Sequence, residues 1–297
     1  MKNDIEFLNA GYTKYSAPAK LNLFLKIINK RKDGYHNLQS IFHLIDLKDD
    51  IFIKIRYEDT QINIKNSSSQ IKPSSDLAFK AAKLMLTNHN LGVDIYINKK
   101  IPIGSGLGGG SSNAAIVIMA INKLCKFNLS KINLIKKGLK LGADVPFFIN
   151  GTNAWAEGIG EVLHSIKIPN FTYVVMYPDL SIDTKAIFND FKLTNSLIPL
   201  KISTSYKADE HDFIKNDLEE TVFKKYIKMA ELIKWMSSFG NAKMSGTGSC
   251  IFIKTKNLNM AKSIEKNKPK NINCFILKGL SVHPFYVTDQ LGSRQAG

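Results

Sequence analysis

The chain has 297 residues, with 41 basic against 25 acidic side chains for a net charge of +16, and it is 44% hydrophobic with 10% aromatics. That length suits one large domain or two ordinary ones, and the apolar content excludes wholesale disorder. Three distant cysteines (Cys125, Cys250, Cys274) exclude a disulfide framework or zinc ribbon, no apolar run reaches the roughly 18 residues of a membrane span, and the amino end MKNDIEFLNA lacks the apolar core of a secretory signal.

A cytoplasmic protein with no membrane partner is therefore expected. The lysines are scattered, and their densest patches (123–140 and 262–270) are spaced like solvated helix faces. They lack the arginine and aromatic interleaving of a nucleic-acid surface, so no nucleic-acid partner is expected; a positive field of this kind attracts small anions.

Along the chain, Leu21, Leu23 and Leu25 alternate with Asn22, Phe24 and Lys26, which predicts a strand over residues 19–28. The polar loop NKRKDGYHN follows. Residues 38–47 are a second apolar run, and 50–56 and 61–65 read as further strands bounded by polar turns. Residues 75–87 place apolar groups at helical spacing, with Ser74 or Ser75 near the cap. A strand over 93–101 precedes the glycine run 104–110, which opens a largely buried helix over 111–125; 130–141 is another short helix. Residues 144–148 and 153–157 flank a turn at Asn150 and Gly151. A strand at 173–177, an irregular polar stretch at 192–209 suited to a linker or lid, and two helices within 216–239 come next. A glycine turn with its strand over 242–254 and a late strand at 274–278 complete the pattern. The order reads as α+β, divided near residue 165 into domains 1–165 and 166–297.

The strongest chemical signal is the run Pro102, Ile103, Gly104, Ser105, Gly106, Leu107, Gly108, Gly109, Gly110, Ser111, Ser112, leading directly into a helix. Glycines let backbone N–H groups converge on an anion, and a helix start adds unpaired N–H groups and the positive end of its dipole. The bland alternative is a flexible loop without a ligand. The run contains GxGxxG, but a dinucleotide site also needs an acidic residue about 20 positions on. None occurs between Asp94 and Asp144, a stretch that carries eight lysines. A Walker A loop would end in Gly-Lys-Ser/Thr, so this is a third kind of phosphate loop.

Two readings stand for Asp144, in Leu-Gly-Ala-Asp-Val-Pro. It either positions a substrate hydroxyl for attack on a γ-phosphate, as base or acceptor, or caps a turn or helix before Pro146. Lys20, at the start of the first predicted strand, is either its partner, sharing charge on a transferring phosphoryl group, or an edge residue snorkelling to water.

In order along the chain, PAKLNLFL (18–25), DGYHNLQ (33–39), the loop to Ser112, LGADVP (141–146), AEGIGE (156–161), NDLE (216–219) and MSGTGSC (244–250) resemble the motifs of the GHMP kinase superfamily. The first two resemble those of its 4-diphosphocytidyl-2-C-methyl-D-erythritol kinases. That resemblance implies a two-domain α+β fold, with a ribosomal-S5-like amino-terminal domain, a ferredoxin-like carboxy-terminal domain and the site between them. It implies an ATP-dependent bacterial kinase, monomer or weak homodimer, whose partners are ATP and a cytidine-diphosphate-linked methylerythritol. Lys20 and Asp144 would be catalytic, and Asn22 would help orient the hydroxyl. Tyr35 and His36 would bind cytosine, with Thr184 and Phe188 as a second wall at the cytidine. Lys99 would lie near adenine, and Mg2+ would be held mainly by phosphates, with a loop serine and no dedicated protein metal site.

Simpler readings remain for some of these residues: a surface turn for Tyr35 and His36, a helix core for Phe188, and a tight turn for MSGTGSC. Two departures from the pattern are Ser105 among the glycines, tolerable if its φ is negative, and Asn113, where many relatives carry Asp. The rival functions are another small-molecule kinase of the superfamily and a non-catalytic nucleic-acid binder on an S5-like fold.

Overall fold

Two long antiparallel strands form the spine of the molecule. The computed structural model describes residues 2–69, 71–193 and 198–287; positions 194–197 of the irregular stretch and the tail 288–297 lie outside the described residues. Helix α1 (Lys2–Asn9) lays Phe7 against Phe52 and Tyr96, with ring centroids 4.8 and 4.5 Å apart. It leads into β1 (Thr13–Lys30), which pairs along its length with β2 (His36–Arg56).

β2 corrects the sequence reading, which broke the strand near residue 48. Asp49 and Asp50 look like a turn but are buried (0% and 5% exposed). Their carboxylates bond to Lys99, Lys100 and Lys14, so the strand runs on without a turn. Lys20 likewise lies inside β1 at 4% exposure rather than at a strand start, which removes the snorkelling alternative.

β3 (Ile62–Asn66) pairs parallel with β4 (Gly92–Asn98), and β4 pairs antiparallel with β2. Between them, α2 (Leu77–Leu86) is capped by Asp76, whose Oδ1 accepts from Ala78 N at 2.8 Å. Ser74 and Ser75 belong instead to a 3-10 turn one step earlier. The helix after the glycines, α3 (Gly109–Leu124), begins two residues before the expected start. α4 (Lys131–Leu139) and α5 (Val145–Asn150) follow, then the hairpin of β5 (Ala154–Glu157) and β6 (Val162–Ser165). α2, α3 and α5 bury Ala82, Ile118 and Phe147 in one apolar core with Ile53 and Ile95 of the sheet. Each of the larger of these, Ile53, Ile95, Ile118 and Phe147, contributes roughly 1.5–3 kcal/mol.

The carboxy-terminal half comprises β7 (Thr172–Tyr177), α6 (Thr184–Asp190), α7 (Ala208–His211), α8 (Glu219–Lys225), α9 (Ile227–Ser237), β8 (Ala242–Met244), β9 (Ile251–Thr255), α10 (Leu258–Lys266) and β10 (Asn273–Leu280). Its antiparallel strands lie in the order β10-β7-β9-β8, the ferredoxin-like βαββαβ arrangement. Residues 198–207 form no helix or strand and are tied down where Leu200 N donates to Gln39 Oε1 at 2.7 Å.

The two halves are joined by more than the chain. Trp155 and Leu21 share a core with Tyr173 and Phe252. β10 pairs with β7 through Lys278, and then Gly279 and Leu280 pair with Ile45 and Leu44 of β2. No helix among the described residues is long and apolar enough to cross a membrane.

Two buried imidazoles give this fold an acid limit. His43 is 1% exposed, with Nδ1 2.8 Å from the Tyr173 hydroxyl, and His283 is 0% exposed; burial pushes both down to about 3. An unfolded histidine titrates near 6.5, so below that pH the unfolded chain binds more protons than the folded one. The contribution of these two imidazoles should therefore be level above about pH 6.5 and fall as pH drops towards 3, by up to roughly 1.4 kcal/mol per pH unit for each. Thermal unfolding followed from pH 8 to 4 checks this. A Tm that is flat from pH 6 to 4 would count against it.

Candidate active site

The glycine loop lies where both halves meet. Gly106 has φ +77°, and a Cβ there would stand 2.2 Å from Ser245 O and 2.9 Å from Gly248 O, so only glycine fits. The turn 245–250 that links β8 to β9 thus seats directly on the loop. Ser245 Oγ accepts from Asn22 N (3.1 Å) and donates to Gly106 O (3.2 Å), while Cys250 N donates to Ser105 O (3.0 Å). The MSGTGSC segment is therefore both a turn between strands and a backing for the loop. Ser105 is absent from the positive-φ positions, and its hydroxyl closes on Pro102 O at 2.7 Å.

Lys20 N donates to Leu107 O at 3.0 Å, stitching β1 to the loop. Gly108 caps α3 in the left-handed conformation and offers no side chain, so the first N–H groups of the helix stay available. Near the start of α3, Ser112 Oγ and Asn113 Oδ1 are buried without a hydrogen-bond partner. Of the two, the Ser112 hydroxyl has a proton to give an anion, whereas the Asn113 amide oxygen only accepts.

Lys20 and Asp144 come together beside this loop. Lys20 Nζ is 3.4 Å from Asp144 Oδ2, 2.5 Å from Asn22 Oδ1 and 4.6 Å from the centre of the Phe42 ring. Asp144 stands at the N-cap position of α5 but makes no capping bond, so the capping alternative does not account for it. It keeps 30% of its side chain exposed, whereas Lys20 keeps 5%. The AEGIGE turn passes close by, with a Cβ at Gly160 placed 3.9 Å from Asp144 Oδ1. Asn22 accepts from Lys20 and donates one N–H to Ser40 Oγ at 2.9 Å, which leaves its second N–H for another acceptor.

The cytidine candidates divide. His36 and Phe188, distant in sequence, stack at 5.6 Å and 28°, with Phe191 edge-on at 6.1 Å. His36 is 5% exposed, its Nδ1 has no partner, and burial lowers its pKa, assisted by the Lys30 charge. Tyr35 stands apart at 60% exposure, on a turn where Tyr35 N donates to Asp33 Oδ1. Thr184 Oγ1 lies 2.9 Å from Thr247 Oγ1, joining α6 to the turn that backs the loop. Lys99 does not point freely to solvent: its Nζ pairs with Asp49 at 2.5 Å. Among the described residues no three His, Cys, Asp or Glu side chains gather as a metal site.

Phe42, Ser40 and Ser245 escaped the sequence reading. Phe42 looks like any alternating apolar strand residue, and nothing in its neighbours announces a lysine above its ring. Ser245 sat inside a noted motif, but only the fold shows it touching both Asn22 and Gly106.

Residues 76–152 match the GHMP kinases N terminal domain and residues 207–267 the GHMP kinases C terminal domain. The chain is 41% identical over 273 residues to a 4-diphosphocytidyl-2-C-methyl-D-erythritol kinase of Herminiimonas arsenicoxydans, covering 90% of this chain and 95% of that protein. It is 39% identical over 289 residues to the kinase of that name in Colwellia psychrerythraea, covering 95% and 94%. A crystal structure of 4-(cytidine 5'-diphospho)-2C-methyl-D-erythritol kinase matches with a TM-score of 0.75 and 28% identity, covering 90% of this chain and all of that one. A homoserine kinase from Cytophaga hutchinsonii, at 15% identity and a TM-score of 0.67, shares the fold.

Proposed function

Because the chain belongs to the 4-diphosphocytidyl-2-C-methyl-D-erythritol kinase family of the GHMP kinases, we propose that loop 102–112 holds the phosphates of ATP and that Lys20 and Asp144 carry the chemistry. The enzyme is an ATP-dependent kinase that phosphorylates the 2-hydroxyl of 4-diphosphocytidyl-2-C-methyl-D-erythritol on the non-mevalonate route to isoprenoid precursors. The observation that supports the residue roles best is the Lys20–Asp144 pair, 3.4 Å apart beside the loop.

Asp144 accepts the hydrogen bond, and then the proton, of the 2-hydroxyl. The hydroxyl oxygen bonds to the γ-phosphorus as the bond from that phosphorus to the ADP oxygen breaks, and ADP leaves. Lys20 faces the carboxylate and shares the charge on the transferring group. Asn22 fixes the ammonium and turns its second N–H towards the hydroxyl. Phe42 covers the other side of the lysine and keeps water from it.

Magnesium fits the donors present: Ser112 Oγ is free of partners, and residues 95–143 include no carboxylate to compete with phosphate oxygens. When bound, it would neutralise phosphate charge, with Ser112 as the protein's contribution. Tyr35 supplies an exposed ring for cytosine, His36 Nδ1 a polar contact to its edge, and Phe188 and Thr184 the wall behind.

Gly110 tests the cradle. A Cβ there meets only Leu77 Cδ1 at 3.6 Å, ordinary contact, so the fold does not require glycine at this place. Gly110→Ala should hold or raise the Tm, since alanine favours a helix by up to about 1 kcal/mol. It should also raise the KM for ATP about tenfold in an ADP-release assay with the cytidine diphosphate substrate, by crowding the N–H groups. An unchanged KM for ATP would move the phosphates elsewhere. Equal turnover of an alcohol lacking the nucleotide would favour a different kinase of the superfamily.

A further inference from the structure

We infer that Asp49 is a positioning residue for ATP, locking the turn that enters the glycine loop and holding the Lys99 ammonium at the first turn of α3. The inference rests on the reading that loop 102–112 binds the phosphates.

Asp49 lies in the middle of β2 and is fully buried. Every bond its carboxylate makes goes to the three residues that join β4 to the loop. Oδ2 accepts from Lys99 Nζ at 2.5 Å, and Oδ1 accepts from Lys100 N at 2.7 Å and Ile101 N at 2.8 Å. A carboxylate on the rigid central strand thus sets the backbone from which the loop departs. The ammonium it holds is only 7% exposed, as a side chain, and would stand 3.1 Å from a Cβ on Gly109, the first residue of α3. Asp49 is its one acceptor among the described residues, so two of its three N–H bonds are unfilled at the helix end that attracts anions.

An ordinary buried ion pair would staple the strands together without reaching a ligand. A charge-balancing role, in which Asp49 merely offsets Lys99, makes the opposite forecast: removing the carboxylate would leave extra positive charge and tighten ATP binding. Positioning predicts weaker binding.

The test compares Asp49→Asn, Lys99→Met and the double variant, with Gly110→Ala alongside. KM is measured for each substrate, and a non-hydrolysable ATP analogue is titrated calorimetrically. Each single variant is expected to raise the KM for ATP and the analogue's Kd about tenfold, the worth of one charge-assisted hydrogen bond. kcat and the KM of the second substrate should stay within about twofold, and the double variant should bind ATP no worse than Lys99→Met. An unchanged or lower KM for ATP in Asp49→Asn, while Gly110→Ala raises it, overturns the inference; so does a double variant in which the losses add. If Gly110→Ala also leaves ATP binding intact, the reading of the loop fails instead. Should Asp49→Asn fail to fold, Lys99→Met decides, and normal ATP binding there refutes the proposal.

Discussion

Asp144→Asn should lower kcat by about a thousandfold while the protein folds normally, the mid-range of what a positioned base contributes. Three features of the site set this expectation. Asp144 makes no capping bond to α5, so the helix loses nothing when the side chain becomes an amide. It is the more exposed partner of the pair, so its amide stays hydrated. The amide cannot take a proton and cannot supply the negative charge that Lys20 faces at 3.4 Å. The KM for ATP should change little, because the loop and the start of α3 remain as they were. Kinetics in an ADP-release assay, with a thermal melt beside them, check both halves. A variant retaining a tenth of wild-type kcat would reduce Asp144 to a minor orienting group.

Lys20→Met should cost a similar factor, about a hundred- to a thousandfold in kcat, with little change in stability. The lost ammonium removes a preorganised positive charge aimed at the transferring phosphoryl group, a loss of roughly 3–4 kcal/mol in comparable sites. Its Phe42 ring and partly hydrated Asp144 partners accept a thioether of similar length, but the buried Asn22 Oδ1 loses its lysine donor. The variant is relieved of burying an ammonium, and this offsets the bond lost by Asn22, so its Tm should stay within about 5 °C of wild type. Lys20→Arg should not restore activity, because the planar fork does not fit between Asn22 and Phe42 as a point charge does. A Lys20→Met protein that melts far below wild type would mean that the pair holds the fold together rather than the reaction.

The site was largely legible in the sequence wherever its chemistry is local. A phosphate cradle needs glycines and a helix start within a dozen residues, and these stand together from Pro102 to Ser112. Lys20, Asn22 and Asp144 sit in short motifs, and the fold brings them together. The interruption wrongly read near residue 48 had a non-local cause. Two consecutive aspartates resemble a turn until Lys99, Lys100 and Lys14, far off in the chain, are seen to satisfy them. The cap of α2 was misplaced because Ser74, Ser75 and Asp76 are all good caps in a row, and which one is used depends on where the preceding 3-10 turn ends. The stacking of His36 on Phe188 depends on the packing of α6 against the end of β2, which no spacing reports.

The last strand has a bearing on how the protein is made. β10 closes the edge of β2 at Leu44 and Ile45, Asn153 Nδ2 donates to Leu280 O, and His283 N donates to Gly151 O at the end of α5, the helix that Asp144 begins. A ribosome synthesises Lys20, the glycine loop and Asp144 well before Gly279 and Leu280, the residues that pair with β2. The edge of β2 at Leu44 and Ile45 therefore stays open until β10 has left the exit tunnel. A product truncated before residue 273 carries every proposed catalytic residue on an unfinished sheet.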